Sequence, residues 1–181
     1  MMANFIFEIG FEEFPASFIV PATEQMKSFL ISELEKARLT GANCQMFSTC
    51  SRIAAVVTEL PEKQPDRKEL VTGAPKKVAL TPEGNLSKAG ESFLAKNGLT
   101  EYFFENSDKG EVIAGWKKET GREIKDVVSE IVKNGIYALS FKKSMRWGEH
   151  KFPFARPIRW IFLSINGNPV TDKFEDVDFS L

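Results

Sequence analysis

Between Phe141 and Phe162 the chain reads FKKSMRWGEHKFPFARPIRWIF, which sets Lys142, Lys143, Arg146, Lys151, Arg156 and Arg159 among Phe141, Trp147, Phe152, Phe154 and Trp160. Glu149 alone opposes those cations. A positive groove tracks a phosphate backbone, and aromatic faces stack on unpaired bases, so this mixture suits single-stranded or looped RNA. The alternative is a buried strand whose ends carry arginines paired with carboxylates, an arrangement that also anchors domain interfaces. On the first reading Lys143, Arg146, Arg156 and Arg159 contact phosphates, Trp147 offers a stacking surface and Arg52 is a further candidate. On the second the arginines bind carboxylates and Trp160 is core.

Other chemistries find less to build on. His150 is the only histidine, so a Ser–His or Cys–His scheme would rest on one residue beside Gly148, Glu149 and the patch. Glu12 and Glu13 would need a partner with a tuned pKa to act as acid and base. They are expected instead near the positive end of a helix opened by Pro15. Gly73-Ala74-Pro75-Lys76-Lys77 lacks the glycine spacing and the following Ser or Thr of a phosphate loop, and reads as a solvated turn. Phe93, Tyr102, Phe103 and Phe104 read as core rather than as a ligand stack. Cys44 and Cys50 are too few for a disulfide framework and do not make a four-ligand zinc site with one histidine. In a chain without a signal peptide they read as reduced thiols in a cytoplasmic protein. No catalytic, cofactor or metal residue is assigned.

Three segments resemble one family. Lys143-Ser144-Met145-Arg146-Trp147-Gly148 followed by Phe154-Ala155-Arg156-Pro157-Ile158-Arg159-Trp160 is similar to the KSMRWG and RPI-x-W stretch of the bacterial glycyl-tRNA synthetase beta subunit. The opening Glu8-Ile9-Gly10-Phe11-Glu12-Glu13-Phe14-Pro15 resembles that family's EIGTEELP, with Phe11 in place of the usual Thr and Phe14 in place of the usual Leu. Thr49-Cys50-Ser51-Arg52-Ile53-Ala54 stands where the family reads TPRRLA, keeping Thr49, Arg52 and Ala54 but not the Pro or the first Arg. The resemblance implies a part of a glycine–tRNA ligase, an aminoacyl-tRNA synthetase of α2β2 form. In that enzyme the alpha subunit holds ATP and glycine, and the beta subunit engages tRNA(Gly) and completes the tetramer. It also implies that this chain is the N-terminal portion of a longer multidomain subunit, inactive by itself. The ending Phe179-Ser180-Leu181 reads as a truncation.

The elements that must carry these residues are those of a folded domain. At 181 residues, 43% hydrophobic and 12% aromatic, the chain can bury a core. A net charge of −1 means that any nucleic-acid contact comes from a local patch. The tail is the opposite, with Asp172, Glu175, Asp176 and Asp178 against Lys173. Apolar runs such as Trp160 to Leu163 fall far short of the ~20 residues of a membrane-spanning helix.

Asn4 to Ile9 reads as a central strand. Pro15 opens a helix, Pro21 interrupts or restarts it, and Met26, Phe29, Leu30, Leu34 and Ala37 recur at helical spacing until Gly41 stops it. Cys44 to Phe47 and Ile53 to Leu60 read as paired strands. Residues 61–67 form a polar, proline-punctuated linker, giving two possible lobes, 1–60 and 68–181. A turn-rich approach leads to a helix over 87–97 closed by Gly98, with Ala89 and Phe93 on its buried side. A hairpin follows around Ser107-Asp108-Lys109-Gly110. Ile124, Val127, Val128, Ile131 and Val132 share a helical face, and Ile158 to Ile165 is a central strand turning at Asn166-Gly167-Asn168. Strands and helices mix without regular alternation, so the expected fold class is α+β, a mixed, largely antiparallel sheet with packed helices.

Overall fold

The computed structural model describes residues 2–81, 84–107, 110–147 and 152–179. In chain order the elements are β1 (Met2–Phe11), α1 (Ala16–Lys36), β2 (Asn43–Thr49), β3 (Arg52–Pro61), β4 (Arg67–Pro75), α2 (Lys76–Ala79) and α3 (Lys88–Asn97). Then come β5 (Phe103–Ser107), β6 (Gly110–Glu119), α4 (Ile124–Ala138), β7 (Ile158–Ile165), β8 (Asn168–Pro169), β9 (Lys173–Phe174) and β10 (Val177–Asp178). The ladders between these strands are antiparallel, and the class is α+β.

The chain makes two compact units, Met1–Pro65 with Arg122–Leu181, and Asp66–Gly121. In the first, β1 has the two-residue period of a strand with one face in the core. Ala3, Phe5, Phe7, Ile9 and Phe11 are buried, while Asn4 and Ile6 are exposed and Glu8 is half-buried. The sheet order is β2-β3-β1-β7-β8, so β1 is central as expected. Two β-α-β passes interleave, β1-α1-β2 and β3-α4-β7. This is the β-α-β-β-α-β arrangement of ferredoxin-like folds, with the second unit inserted before the second helix.

The helices meet the sheet through stripes at helical spacing. Ala22, Met26, Leu30 and Leu34 of α1, and Val127, Val128, Ile131, Val132 and Ile136 of α4, share one core with the inward residues of β1, β3 and β7. Gly135 lets α1 come close, because a Cβ there would lie 3.0 Å from the Met26 sulfur. β7 ends in the expected tight turn, with φ of 51° at Asn166 and 77° at Gly167, the positive pair of a type I′ hairpin.

Pro21 does not interrupt α1, which runs through it. Proline removes one backbone donor, here toward the carbonyl of Ser17. Ser17 and Pro21 are both exposed, so water can satisfy that carbonyl. Nor does Gly41 stop the helix. Arg38 adopts φ 63°, its N–H donates to Glu35 O (2.9 Å), and Leu39 N–H donates to Leu34 O (2.8 Å). That is a Schellman ending with buried Leu34 and Leu39 as its apolar contact.

Near the end of the chain, Asp172 accepts hydrogen bonds from Ser129 Oγ, from Lys133 Nζ (2.8 Å) and from Lys173 N–H (2.7 Å). Burial pushes its carboxyl up, but these donors outweigh it and hold the pKa below the ordinary value. Tyr137 Oη–H donates to Glu175 (2.5 Å). That bond, with desolvation and the carboxylate charge, pushes the phenol up to about 12.

The second unit is a three-stranded sheet, β4-β6-β5, with α2 and α3. Ser87 caps α3 by accepting from Gly90 N–H (3.3 Å), and Gly98 closes it at φ 63°. Ala89 is exposed and Gly90 is the buried residue, since Leu86 and the Ala79 carbonyl crowd the space a side chain would need there. Of the expected hairpin turn, Asp108 and Lys109 lie outside the described residues. The 73–77 segment is not a solvated turn: Pro75 ends β4, and Lys76 opens α2 and pairs with Glu111 at 2.8 Å. The expected lobes 1–60 and 68–181 also differ from the observed division. Residues 122–181 return to the first unit because β7 pairs with β1, leaving 66–121 as the separate body.

Candidate nucleic-acid interface

The basic aromatic segment sorts its side chains by burial. Met145 and Phe154 bridge through two backbone bonds, Met145 N–H to Phe154 O (2.8 Å) and Phe154 N–H to Met145 O (3.0 Å). Phe154 is fully buried, with Phe11, Phe14, Phe141, Trp147 and Phe152 around it at centroid distances of 5.0–6.3 Å. Trp147 is half-buried with edge contacts to Phe152 and Phe154, so part of its ring belongs to this cluster. The cations go the other way. Lys142, Lys143 and Arg146 are exposed and make no ion pair with any described residue. Glu149, His150 and Lys151, assigned to the same patch, lie outside the described residues.

A second group forms where β1, β3 and β7 meet. The β1–β7 register shifts after Gly10, which pairs with Trp160, while Phe11 pairs with Ile158. Arg159 is therefore the extra residue of a bulge, a device that re-aims a side chain. Its Nη2 lies 2.8 Å from Glu12 Oε1. Arg52 pairs with Gly10 on the other side of β1. Its Nη1 is 3.5 Å from Glu8, and its guanidinium stands 6.0 Å from the Trp160 ring centre. The indole covers Gly10, where a Cβ would be 2.1 Å from the ring. Ile6 and Phe47, 39% and 55% exposed, belong to the same outward face of the sheet.

The six candidate residues thus fall into three groups. Lys143 and Arg146 are exposed, and Trp147, next in the chain, is half-buried against Phe152 and Phe154. Arg52 and Arg159 flank Gly10 with carboxylate partners. Arg156 is half-buried and donates to the Ala155 carbonyl (3.2 Å). Glu12 does not act in the first turn of α1, which has no acidic residue; it serves Arg159. Trp160 is half-buried on the outward face rather than in the core. Sequence reasoning missed Gly10 and Glu8 as parts of this group, because both reach it only across the β1 ladders. Among the described residues no cluster of His, Cys, Asp and Glu could hold a metal ion. Cys44 is buried and Cys50 exposed, both as free thiols, and burial pushes the Cys44 thiol up.

The family model for the glycyl-tRNA synthetase beta subunit matches residues 5–180. The chain belongs to that family. It is 37% identical over 179 residues to the glycine–tRNA ligase beta subunit of Geobacter sulfurreducens, covering 98% of this chain and 26% of that protein. The Acaryochloris marina protein of the same name is 35% identical over 97% of this chain and 25% of its own length. For Clostridioides difficile the figures are 36%, 97% and 26%. This beta-subunit chain therefore spans about a quarter of the length of these curated relatives. Among its described residues no helix is long and apolar enough to cross a membrane.

Proposed function

We propose that this chain is the N-terminal region of a glycine–tRNA ligase beta subunit and that its cationic rim engages tRNA(Gly). Lys143 and Arg146 are the primary phosphate contacts, with Arg156, Arg159 and Arg52 extending the surface. The observation that carries this reading is the sorting of the described residues of the 141–154 segment: Phe141, Trp147, Phe152 and Phe154 pack together, while Lys142, Lys143 and Arg146 face outward without an ion-pair partner among the described residues. The Arg52–Glu8 and Arg159–Glu12 pairs do not oppose it. Each is a single contact, the first a long one at 3.5 Å to the half-buried Glu8 and the second open to solvent, worth about 1 kcal/mol or less, so a phosphate can take the place of the carboxylate. Within the whole enzyme this region supports tRNA recognition and assembly with the alpha subunit into a cytoplasmic α2β2 tetramer. ATP and glycine are held by the alpha subunit. The chain alone forms no glycyl-adenylate, and glycine-dependent pyrophosphate exchange by it would contradict this.

The test is the salt dependence of tRNA affinity. Each phosphate contact releases counterions, so Arg146→Ala should lower the slope of log affinity against log salt by roughly 0.7–0.9 while leaving thermal stability unchanged. A second reading has its own observation, the carboxylate partners of Arg52 and Arg159. On that view the region is a scaffold against other beta domains or the alpha subunit. Unchanged salt slopes across the arginine variants, with weakened association to the alpha subunit, would favour the scaffold.

A further inference from the structure

The sheet of the second unit carries a separate set of aromatic and cationic side chains. In the β4–β6 register Lys68 stands opposite Lys118 and Leu70 opposite Trp116. Phe103 on β5 pairs with Ala114, two residues before Trp116. Opposed residues share a face, and so do alternate residues along a strand. Lys68, Lys118, Trp116 and Phe103 therefore lie on one side of the sheet. Tyr102 and Phe103 are each 38% exposed and Trp116 53%, so the expectation that Tyr102 and Phe103 are core does not hold. The Phe103 and Trp116 ring centres are 6.5 Å apart. All four residues, with Glu101 and Tyr102, border a hollow of about 620 Å³.

The opposed lysines are the informative part. Like charges directly across a ladder destabilise it. Elsewhere in this unit Arg67 is paired with Glu69 (3.5 Å) and Lys76 with Glu111 (2.8 Å). Lys68 and Lys118 have no ion-pair partner among the described residues, and Glu101 reaches neither. An exposed indole beside two uncompensated ammonium groups matches a ligand that brings an aromatic ring and negative charge together. A protein surface would have to supply an apolar group and carboxylates from different residues, whereas a nucleotide supplies both in one unit.

We propose that this face binds an unpaired RNA nucleotide, its base stacked on Trp116 beside Phe103 and its flanking phosphates at Lys68 and Lys118. The site lies wholly within the second unit and does not depend on the cationic rim of the first.

The test is anisotropy of a fluorescein-labelled oligoadenylate titrated with the 181-residue chain at several salt concentrations. Trp116→Ala should weaken binding by about 5- to 150-fold, the range of one base–aromatic stack, while Trp116→Phe retains most of the affinity. The Lys68→Ala, Lys118→Ala double variant should lower the salt slope by about 0.7 for each lysine removed. All these side chains are exposed, and unchanged thermal melting checks that the variants fold. If these variants bind like the wild type while Arg146→Ala flattens the slope, this site is overturned and the rim stands. If they weaken binding and Arg146→Ala does not, the site stands and the rim falls. Unchanged RNA affinity with lost association to the alpha subunit would make the face a protein dock and overturn the proposal.

Discussion

Gly10 leaves a space that Trp160 fills, and the consequences reach the arginines. A methyl group at Gly10 would enter the indole, with 2.1 Å to its nearest ring atom. The ring would have to leave the strand, taking with it the surface over which Arg52 stands. Gly10→Ala should therefore destabilise the first unit by about 1–3 kcal/mol, the usual cost of overpacking. The same substitution in a Trp160→Ala background should cost much less. A double-mutant cycle by urea unfolding measures this, and additive effects would show that the contact is not what limits the site. A second residue pair has a related logic. Phe11 and Phe14, which stand where the resembling motif has Thr and Leu, stack on each other with centroids 3.7 Å apart and planes 14° from parallel. Two departures from one motif thus form one contact, which also packs on Phe154. Position 11 or 14 taken alone looks like an isolated change.

Among the elements, α1 shows how a local breaker is tolerated. Pro21 is in the second turn on an exposed face, so the lost hydrogen bond leaves a solvated carbonyl rather than a buried one. The core stripe of Ala22, Met26, Leu30 and Leu34 holds the helix together across it. Replacing Pro21 by Ala restores the donor and removes the ring clash, partly offset by a more flexible unfolded chain. The expected outcome is a gain of about 1–2 kcal/mol, read as a higher urea midpoint at constant m-value. A loss of stability would mean that the ring contributes packing the exposed face does not suggest. The bridge between Met145 and Phe154 obeys a similar rule on the opposite side of the balance. Its rings are fixed by the Phe154 cluster, which holds the backbone that presents Lys143 and Arg146.

For the molecule as a whole, the second unit is an insertion in the first. The chain leaves and re-enters the first unit through neighbouring backbone segments. Lys63 bridges Glu123, and Gln64 N–H donates to Arg122 O at 3.1 Å. The two ends are therefore already positioned as a hairpin would need them. Replacing 66–121 by a short turn containing Asn-Gly should leave the first unit folded, with a cooperative thermal transition and native near-ultraviolet dichroism. A molten product would show that its core depends on the inserted unit. The same excised protein should keep the salt-dependent tRNA contacts of Arg146 and lose any contribution from Trp116. The two proposed surfaces can thus be separated by one deletion as well as by point substitutions.

The elements with strong periodicity were legible in the sequence: β1, α1, the β2–β3 hairpin, α4 and β7 stand within a few residues of where the apolar spacing places them. Helix ends and turns were legible too where one residue decides the geometry, as at Gly98 and Asn166-Gly167. The family was legible because its motifs are contiguous. What the linear chain does not contain is the pairing of distant strands. β4 alternates too weakly to declare itself, and only its ladder with β6 makes it a strand. The return of β7 to β1 decides that 66–121 is the inserted body. The same ladders bring Glu8 to Arg52, Glu12 to Arg159 and Lys68 to Lys118. Residue types along the chain set which side chains can carry charge or stack. Whether a charge meets a carboxylate, a ring or open solvent depends on cross-strand register, and register is a property of the assembled sheet.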